Sequence, residues 1–129
     1  MLKVLPIQSK DLQEEICTRC GVSYNADLLA YAAYDDDTLL GVCQFRLCAE
    51  GGMIYDLSPV EGTEHFEGLF IMGRGTLNFM DLCGARRAYF CGEVKNERLL
   101  TAIGFLHKEN GEYVVNLEGF FTDHHHENS

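Results

Sequence analysis

The sequence predicts an α/β domain in which an antiparallel meander runs into a β-α-β unit, giving one mixed sheet with helices on both faces. Three observations predict it. The 129 residues, 47% apolar and 23% charged, suit one domain with its own core. Short strand-like runs at 28–34, 39–47 and 53–57 follow one another, separated only by turn residues. The apolar stretch at 69–85 is too long for a strand and lies between two strand-like segments.

Residues 2–8 read as the first strand, weakened at Pro6. Ser9 is placed to cap a helix whose buried face carries Leu12, Ile16, Cys17 and Cys20, and Gly21 stops it. Asp35, Asp36, Asp37 and Thr38 form the turn of a hairpin, and Gly51-Gly52 forms the next turn. Residues 58–67 have loop composition, with Pro59 and Gly62. Helix follows over 69–85, with Gly73 and Gly75 at its entrance and Gly84 as its cap. A strand at 88–93, a short helix at 96–103 closed by Gly104, and a strand at 113–121 complete a right-handed crossover and a final edge. The domain spans 1–121, and the polar residues 122–129 are expected to fray.

Charge narrows the function. Ten basic residues against twenty acidic ones give a net charge of −10, which disfavours nucleic acid and anionic membranes as partners. The same field attracts a cationic amine. The N-terminus has no signal-peptide pattern, and no stretch approaches the roughly 20 apolar residues of a membrane helix. The expected setting is the cytoplasm, with the six cysteines as thiols. Cys17 and Cys20 have a metal-like or redox-like spacing, but they close a helix and lack two further ligands nearby, so they read as core thiols. No metal site is assigned, and His124, His125 and His126 are given no role.

Glycines let a backbone approach a phosphate closely, and a helix N-terminus offers free N–H donors with a partial positive charge. Gly73-Arg74-Gly75 therefore reads either as an anion cradle or as a tight packing contact. Asn96 reads either as a ligand contact or as a helix cap. Asp56 and Glu93, at neighbouring strand ends, are candidate acid–base groups or plain solvated carboxylates. Tyr55, Tyr89 and Tyr113 are candidate acids or strand packing residues.

The element order, Gly73-Arg74-Gly75 after a strand and loop, and the run from Asn96 to Gly104-Phe105 together resemble the GNAT acyltransferase superfamily. The resemblance covers nearly all of 2–121. It implies acetyl-coenzyme A as co-substrate, with Leu57, Met72, Gly73, Arg74, Gly75, Thr76 and Asn96 as its contacts. It also implies Asp56, Glu93 and Tyr89 as catalytic groups acting on a small-molecule or peptide amine, and a homodimer as the frequent assembly. Phe70 stands where the family carries Arg or Gln, and Leu100 where it often carries a Tyr acid. Those departures keep two other readings open: a catalytically silent acyl-coenzyme A-binding module, and a structural dimer-former.

Overall fold

The computed structural model describes residues 1–121. The tail with His124, His125 and His126 lies outside the described residues. β1 (Leu2–Pro6), β2 (Leu29–Asp35), β3 (Thr38–Cys48) and β4 (Gly51–Pro59) form an antiparallel meander. The tight turn between β2 and β3 needs one left-handed residue, and Asp36 supplies it with φ 53°. The Met1 ammonium lies 2.9 Å from Asp35 and 3.0 Å from Asp36, tying the first strand to this turn. One irregularity matters for function. Gln44 pairs with Asp56, but Phe45 pairs with Ile54, so β4 carries an extra residue, Tyr55, opposite β3. Such a bulge bends the strand and increases its twist.

Helix α1 (Lys10–Arg19) begins at Ser9, whose hydroxyl accepts from the Leu12 N–H at 3.2 Å. The long helix α2 (Phe66–Leu82) starts three residues earlier than the apolar pattern suggests. His65 caps it, its Nδ1 accepting from the Gly68 N–H at 3.0 Å. An imidazole does here what a hydroxyl or carboxylate usually does. Gly73 and Gly75 consequently sit inside the helix, not at its entrance.

β5 (Arg87–Phe90) pairs in parallel with β4 and ends before Glu93. Helix α3 (Glu97–Ile103) is capped by Asn96, which accepts from the Leu99 N–H at 3.1 Å, and it closes at Gly104 with φ 131°. A short β6 (Leu106–His107) precedes β7 (Tyr113–Asn116), which is shorter than the run of apolar residues around it. The sheet order is β1-β2-β3-β4-β5-β7-β6.

Two cores result. On one face, Ile16, Cys17 and Cys20 of α1 pack on Ala30, Ala32, Leu39 and Val42. On the other, α2 and α3 bury Leu69, Met72, Leu77, Met80, Leu99 and Ile103 against Phe45, Ile54 and Ala88. Leu12, expected inside, is 41% exposed, and Gln13 is fully buried in its place. The reason is a polar partner across the sheet, described below. Among the described residues no helix is long and apolar enough to cross a membrane.

Candidate functional site

β4 and β5 part company in the middle of the sheet. Their pairing runs from Gly52–Ala88 to Ile54–Phe90, and the last bond is Cys91 N–H to the Ile54 carbonyl at 2.7 Å. Gly92 then passes so close to the Tyr55 carbonyl that any side chain there would collide with it. Beyond this point β4 continues to Pro59 with β3 on one side only. Its peptide groups on the other side face a cleft of about 420 Å³. The cleft has apolar walls at Leu57, Leu69, Phe90 and Leu100, and Lys95, Asn96 and Arg98 at its rim.

The opposite side of the splay opens into a hollow of about 230 Å³ that holds Asp56 and shares Leu57, Glu93 and Lys95 with the cleft. Asp56 also borders an adjoining hollow of about 460 Å³, walled by Ser23, Tyr24, Asn25 and Tyr55. A molecule on one face and a molecule on the other would thus meet at Leu57.

The structure brings Asp56 and Glu93 together at this junction. Burial raises the Asp56 carboxyl above the ordinary carboxylate value, and the Gln44 hydrogen bond and the Lys95 charge pull it partly back. Gln44 Nε2 donates to Asp56 Oδ2 at 2.6 Å. Lys95 Nζ donates to Ser58 Oγ at 3.2 Å, which fixes that cation beside the cleft. Tyr89 is not part of the junction. It lines another hollow, of about 640 Å³, with Met53, Cys91 and Glu112, because it pairs with Met53, before the point at which β4 and β5 part. Tyr113 donates to Glu97, stacks on His107 at 4.2 Å and lines the same hollow as Tyr89.

The expected anion contacts need correction. Met72 is fully buried in the core. Thr76 is buried too, its hydroxyl donating to the Met72 carbonyl at 2.9 Å. Gly73 lies against Ile103, and Gly75 faces Val4 at 3.8 Å. Arg74 Nε donates to the Ile103 carbonyl at 2.8 Å, and its guanidinium lies over Phe70 and Phe120. These N–H groups belong to the interior of a helix, where each already has a carbonyl partner one turn back. The helix entrance is eight residues upstream of the expected cradle centre, at His65 and Phe66, and both line the cleft. Leu57 and Asn96 do line it, Asn96 while also serving as a cap.

Two cations of the cleft escape the sequence reading, Lys95 and Arg98, although both lie close to Asn96 in a chain with few cations. His65 reads from sequence as a lone loop histidine that could contact a ligand, and the structure places it on the cleft and makes it a helix cap as well.

No protein-family model matches the sequence, and no curated protein matches it. The fold is similar to that of the ribosomal-protein-S18-alanine N-acetyltransferase from Escherichia coli. That match has a TM-score of 0.69 and 8% identity, over 91% of this chain and 94% of that one. It is similar to a GNAT family acetyltransferase from Brucella melitensis in complex with acetyl-CoA, with a TM-score of 0.65 and 16% identity over 90% and 88% of the two chains. It is also similar to a chain of the AtaT–AtaR complex bound to DNA, with a TM-score of 0.63 and 14% identity over 96% and 99%. That neighbour sits in a DNA-bound complex, so the fold does not support the expectation of no nucleic-acid partner, which rests on charge alone. Identities this low speak of architecture, and in architecture this chain is a GNAT-fold protein.

Proposed function

We propose that the protein is an N-acyltransferase that moves an acetyl group from acetyl-coenzyme A to the amine of a small molecule or peptide by direct attack. The observation that carries this reading is the open edge of β4 between two hollows that meet at Leu57, Glu93 and Lys95.

The residues of the cleft fit such a co-substrate. An amide-bearing arm can pair with the free peptide groups of β4 beyond Ile54 as an added strand does. Leu57, Leu69, Phe90 and Leu100 give it apolar walls. Phosphates can approach the first N–H groups of α2, with Arg98 held nearby over the Phe66 ring at 5.1 Å. The Gly68 N–H is already committed to His65, and Glu64 at the rim opposes anions, so the phosphate end is held more weakly than the arm. Bound acyl-coenzyme A would supply an activated thioester: as the N–C bond to the amine forms, the C–S bond would break, and coenzyme A would leave as a thiolate that takes up the second nitrogen proton, directly or through water.

Asp56 takes the proton from the acceptor's ammonium group, directly or through a water. Burial suits it to that task, since a raised carboxyl is a better base once ionised. Glu93, at the mouth of the same hollow, attracts the cationic acceptor. The Lys95 charge pulls the Asp56 carboxyl part of the way back towards its ordinary value, and its ammonium can lie near developing negative charge. Tyr89 is not assigned the acid role, given its separate hollow. The six free cysteines fit a cytoplasmic setting. Two copies could pair through the uncovered β6 edge, where Leu106 is exposed, and sedimentation reads that assembly.

A second reading, a silent acyl-coenzyme A-binding module, draws on one observation. Leu100 is buried at the position where the family often has its acid, and no tyrosine among the described residues lines the cleft. Calorimetric titration with acetyl-coenzyme A, followed by a screen of amines for free thiol release, separates the readings. Binding with turnover supports the enzyme. Binding without turnover on any amine favours the module. No binding at millimolar ligand sinks both.

A further inference from the structure

Two glutamines are fully buried on the α1 face of the sheet, Gln13 of α1 and Gln44 of β3. Gln13 occupies a position that amphipathic periodicity would give to an apolar residue. Their polar atoms are all partnered, and the partners fix the direction of every bond. Gln44 Oε1 accepts from Gln13 Nε2 at 2.9 Å and from the Asn25 backbone N–H at 3.3 Å. A backbone N–H can only donate, so this end of the amide must be its oxygen. The NH2 end then faces Asp56 Oδ2 at 2.6 Å and the Ser23 carbonyl at 2.9 Å. Gln13 is oriented in the same way. Its Oε1 accepts from Lys10 Nζ at 3.1 Å, and its NH2 also reaches the Leu28 carbonyl at 3.3 Å. Lys10 itself donates to the Leu28 carbonyl at 2.7 Å.

We propose that Gln13 and Gln44 are positioning residues in a one-directional chain of donated hydrogen bonds, Lys10 to Gln13 to Gln44 to Asp56, that holds the Asp56 carboxylate at the junction and couples it to the Ser23–Asn25 wall of the acceptor hollow. The proposal rests on the reading of Asp56 as the proton acceptor. A cation at one end and a carboxylate at the other polarise both amides in the same sense, which strengthens each bond. Gln44 alone holds both Asp56 and the wall, through Ser23 and Asn25, so movement of the wall by an acceptor is felt at the carboxylate.

Other groups around Asp56 work by charge or burial. Lys95 lowers its carboxyl, and Glu93 shares the hollow. Cys17 and Cys20 of α1 and Cys43 of β3 are close enough to feel the Asp56 charge, but each is pushed up by burial to about 11 or 12 and is neutral at working pH. Tyr24 shares the adjoining hollow and is likewise raised, chiefly by burial. None of these fixes the orientation of the carboxylate.

The test follows the Asp56 carboxyl carbon by NMR through a pH titration of the full chain, without substrate, in wild type, Lys10→Met, Gln13→Leu and Gln13→Glu. Glutamate is nearly isosteric with glutamine, so a packing role tolerates it best. In the chain of bonds, a carboxylate in place of the Gln13 amide can no longer donate to Gln44 Oε1; the Gln44 amide turns and presents its oxygen to Asp56. Gln13→Glu is therefore expected to raise the Asp56 titration midpoint most, by about one pH unit or more, with Gln13→Leu next and Lys10→Met least. The acid limb of the acetylation pH profile should move with it, as a fall in kcat at low pH with little change in KM for acetyl-coenzyme A. An Asp56 midpoint that stays put in folded Gln13→Glu and Gln13→Leu protein overturns the proposal. Lys10→Met, changed at the helix surface, keeps the test open should both glutamine variants fail to fold, because an unmoved midpoint there overturns it too. Absence of acetylation with shifted midpoints would instead remove the acyltransferase reading and leave the chain of bonds standing.

Discussion

Gly73 of α2 lies directly beneath Ile103 of α3, and a Cβ on Gly73 would come within 2.5 Å of Ile103 Cδ1. The glycine is there so that two helices can touch. Ile103 is fully buried, so it has little room to yield. Gly73→Ala is expected to cost about 1 kcal/mol or more net, overpacking outweighing the gain in helix propensity. Gly75, one residue away from Arg74 on the other side, meets only Val4 at 3.8 Å, an ordinary contact. Gly75→Ala should therefore stabilise by about 0.5–1 kcal/mol. Thermal melts of the two variants read opposite signs. If both glycines bound phosphate, both variants would lose coenzyme A affinity with little change in stability.

Arg74 extends the same argument. It bonds the Ile103 carbonyl at the end of α3 and lies between Phe70 and Phe120. Arg74→Lys keeps the charge but loses the planar stacking and the Nε–H geometry, so it should destabilise by about 1–2 kcal/mol. Coenzyme A affinity measured by calorimetry at a temperature where the variant is folded should not change. A selective loss of affinity at full stability would return Arg74 to the phosphate.

The sequence carries the architecture well and the site only partly, and the reasons are local. The order of strands and helices follows from hydrophobic period and from turns such as Asp36-Asp37, both short-range signals. Asp56, Glu93, Leu57 and Asn96 were legible because strand ends and helix starts converge at the splay of such a sheet. Gly73 and Gly75 lie inside α2 and not at its entrance because the start of the helix depends on His65 accepting from Gly68, a cap that residue-type preference does not favour. The exchange of Leu12 for Gln13 at the buried position is hidden by residue type, although position 13 keeps the period of Ile16, Cys17 and Cys20. It depends on Gln44, which meets Gln13 only after the sheet has formed.

Arg98 gives a prediction about the phosphate end. Its guanidinium is held over Phe66 at the entrance of α2. Arg98→Glu should weaken coenzyme A by about tenfold, or ~1.4 kcal/mol, in a salt-dependent way, as expected for a pair near the surface. Pantetheine, which lacks the phosphates, should bind the variant and the wild type alike. Equal weakening of both ligands would place Arg98 on the arm instead.

The thiols should fall into two classes. Burial pushes Cys17 up to about 11 and Cys20 and Cys43 up to about 12, so they carry almost no thiolate at pH 8. Cys83 and Cys91 are exposed. A thiol reagent at pH 8 should label Cys83 fastest in native protein, with half-buried Cys48 and with Cys91, whose thiol burial raises, more slowly, and reach the buried three only on unfolding, as read by mass spectrometry. Fast labelling of Cys17 or Cys20 in native protein would contradict the core-thiol assignment.

Asp56 sets activity against stability. Burial raises its carboxyl above the usual value of 3.8, so the folded chain binds this proton more tightly than the unfolded chain does. The sign follows. As pH climbs from 3.8 through the raised folded value, the unfolded chain releases the proton first and the folded state loses stability relative to it. The loss is complete above the folded value and persists at neutral pH. Asn at this position cannot ionise, yet its carbonyl can still accept from Gln44. Asp56→Asn should therefore melt higher than wild type at pH 7, and the gap should close as pH falls towards 4. The same change removes the proposed proton acceptor, so acetylation should drop by about 10²–10⁴-fold. Melting curves at several pH values, paired with rates on one amine, read both effects in one variant. A variant that is no more stable at pH 7 would show that Lys95 and Gln44 fully offset the burial of Asp56, and one that keeps its rate would show that the acceptor amine loses its proton elsewhere.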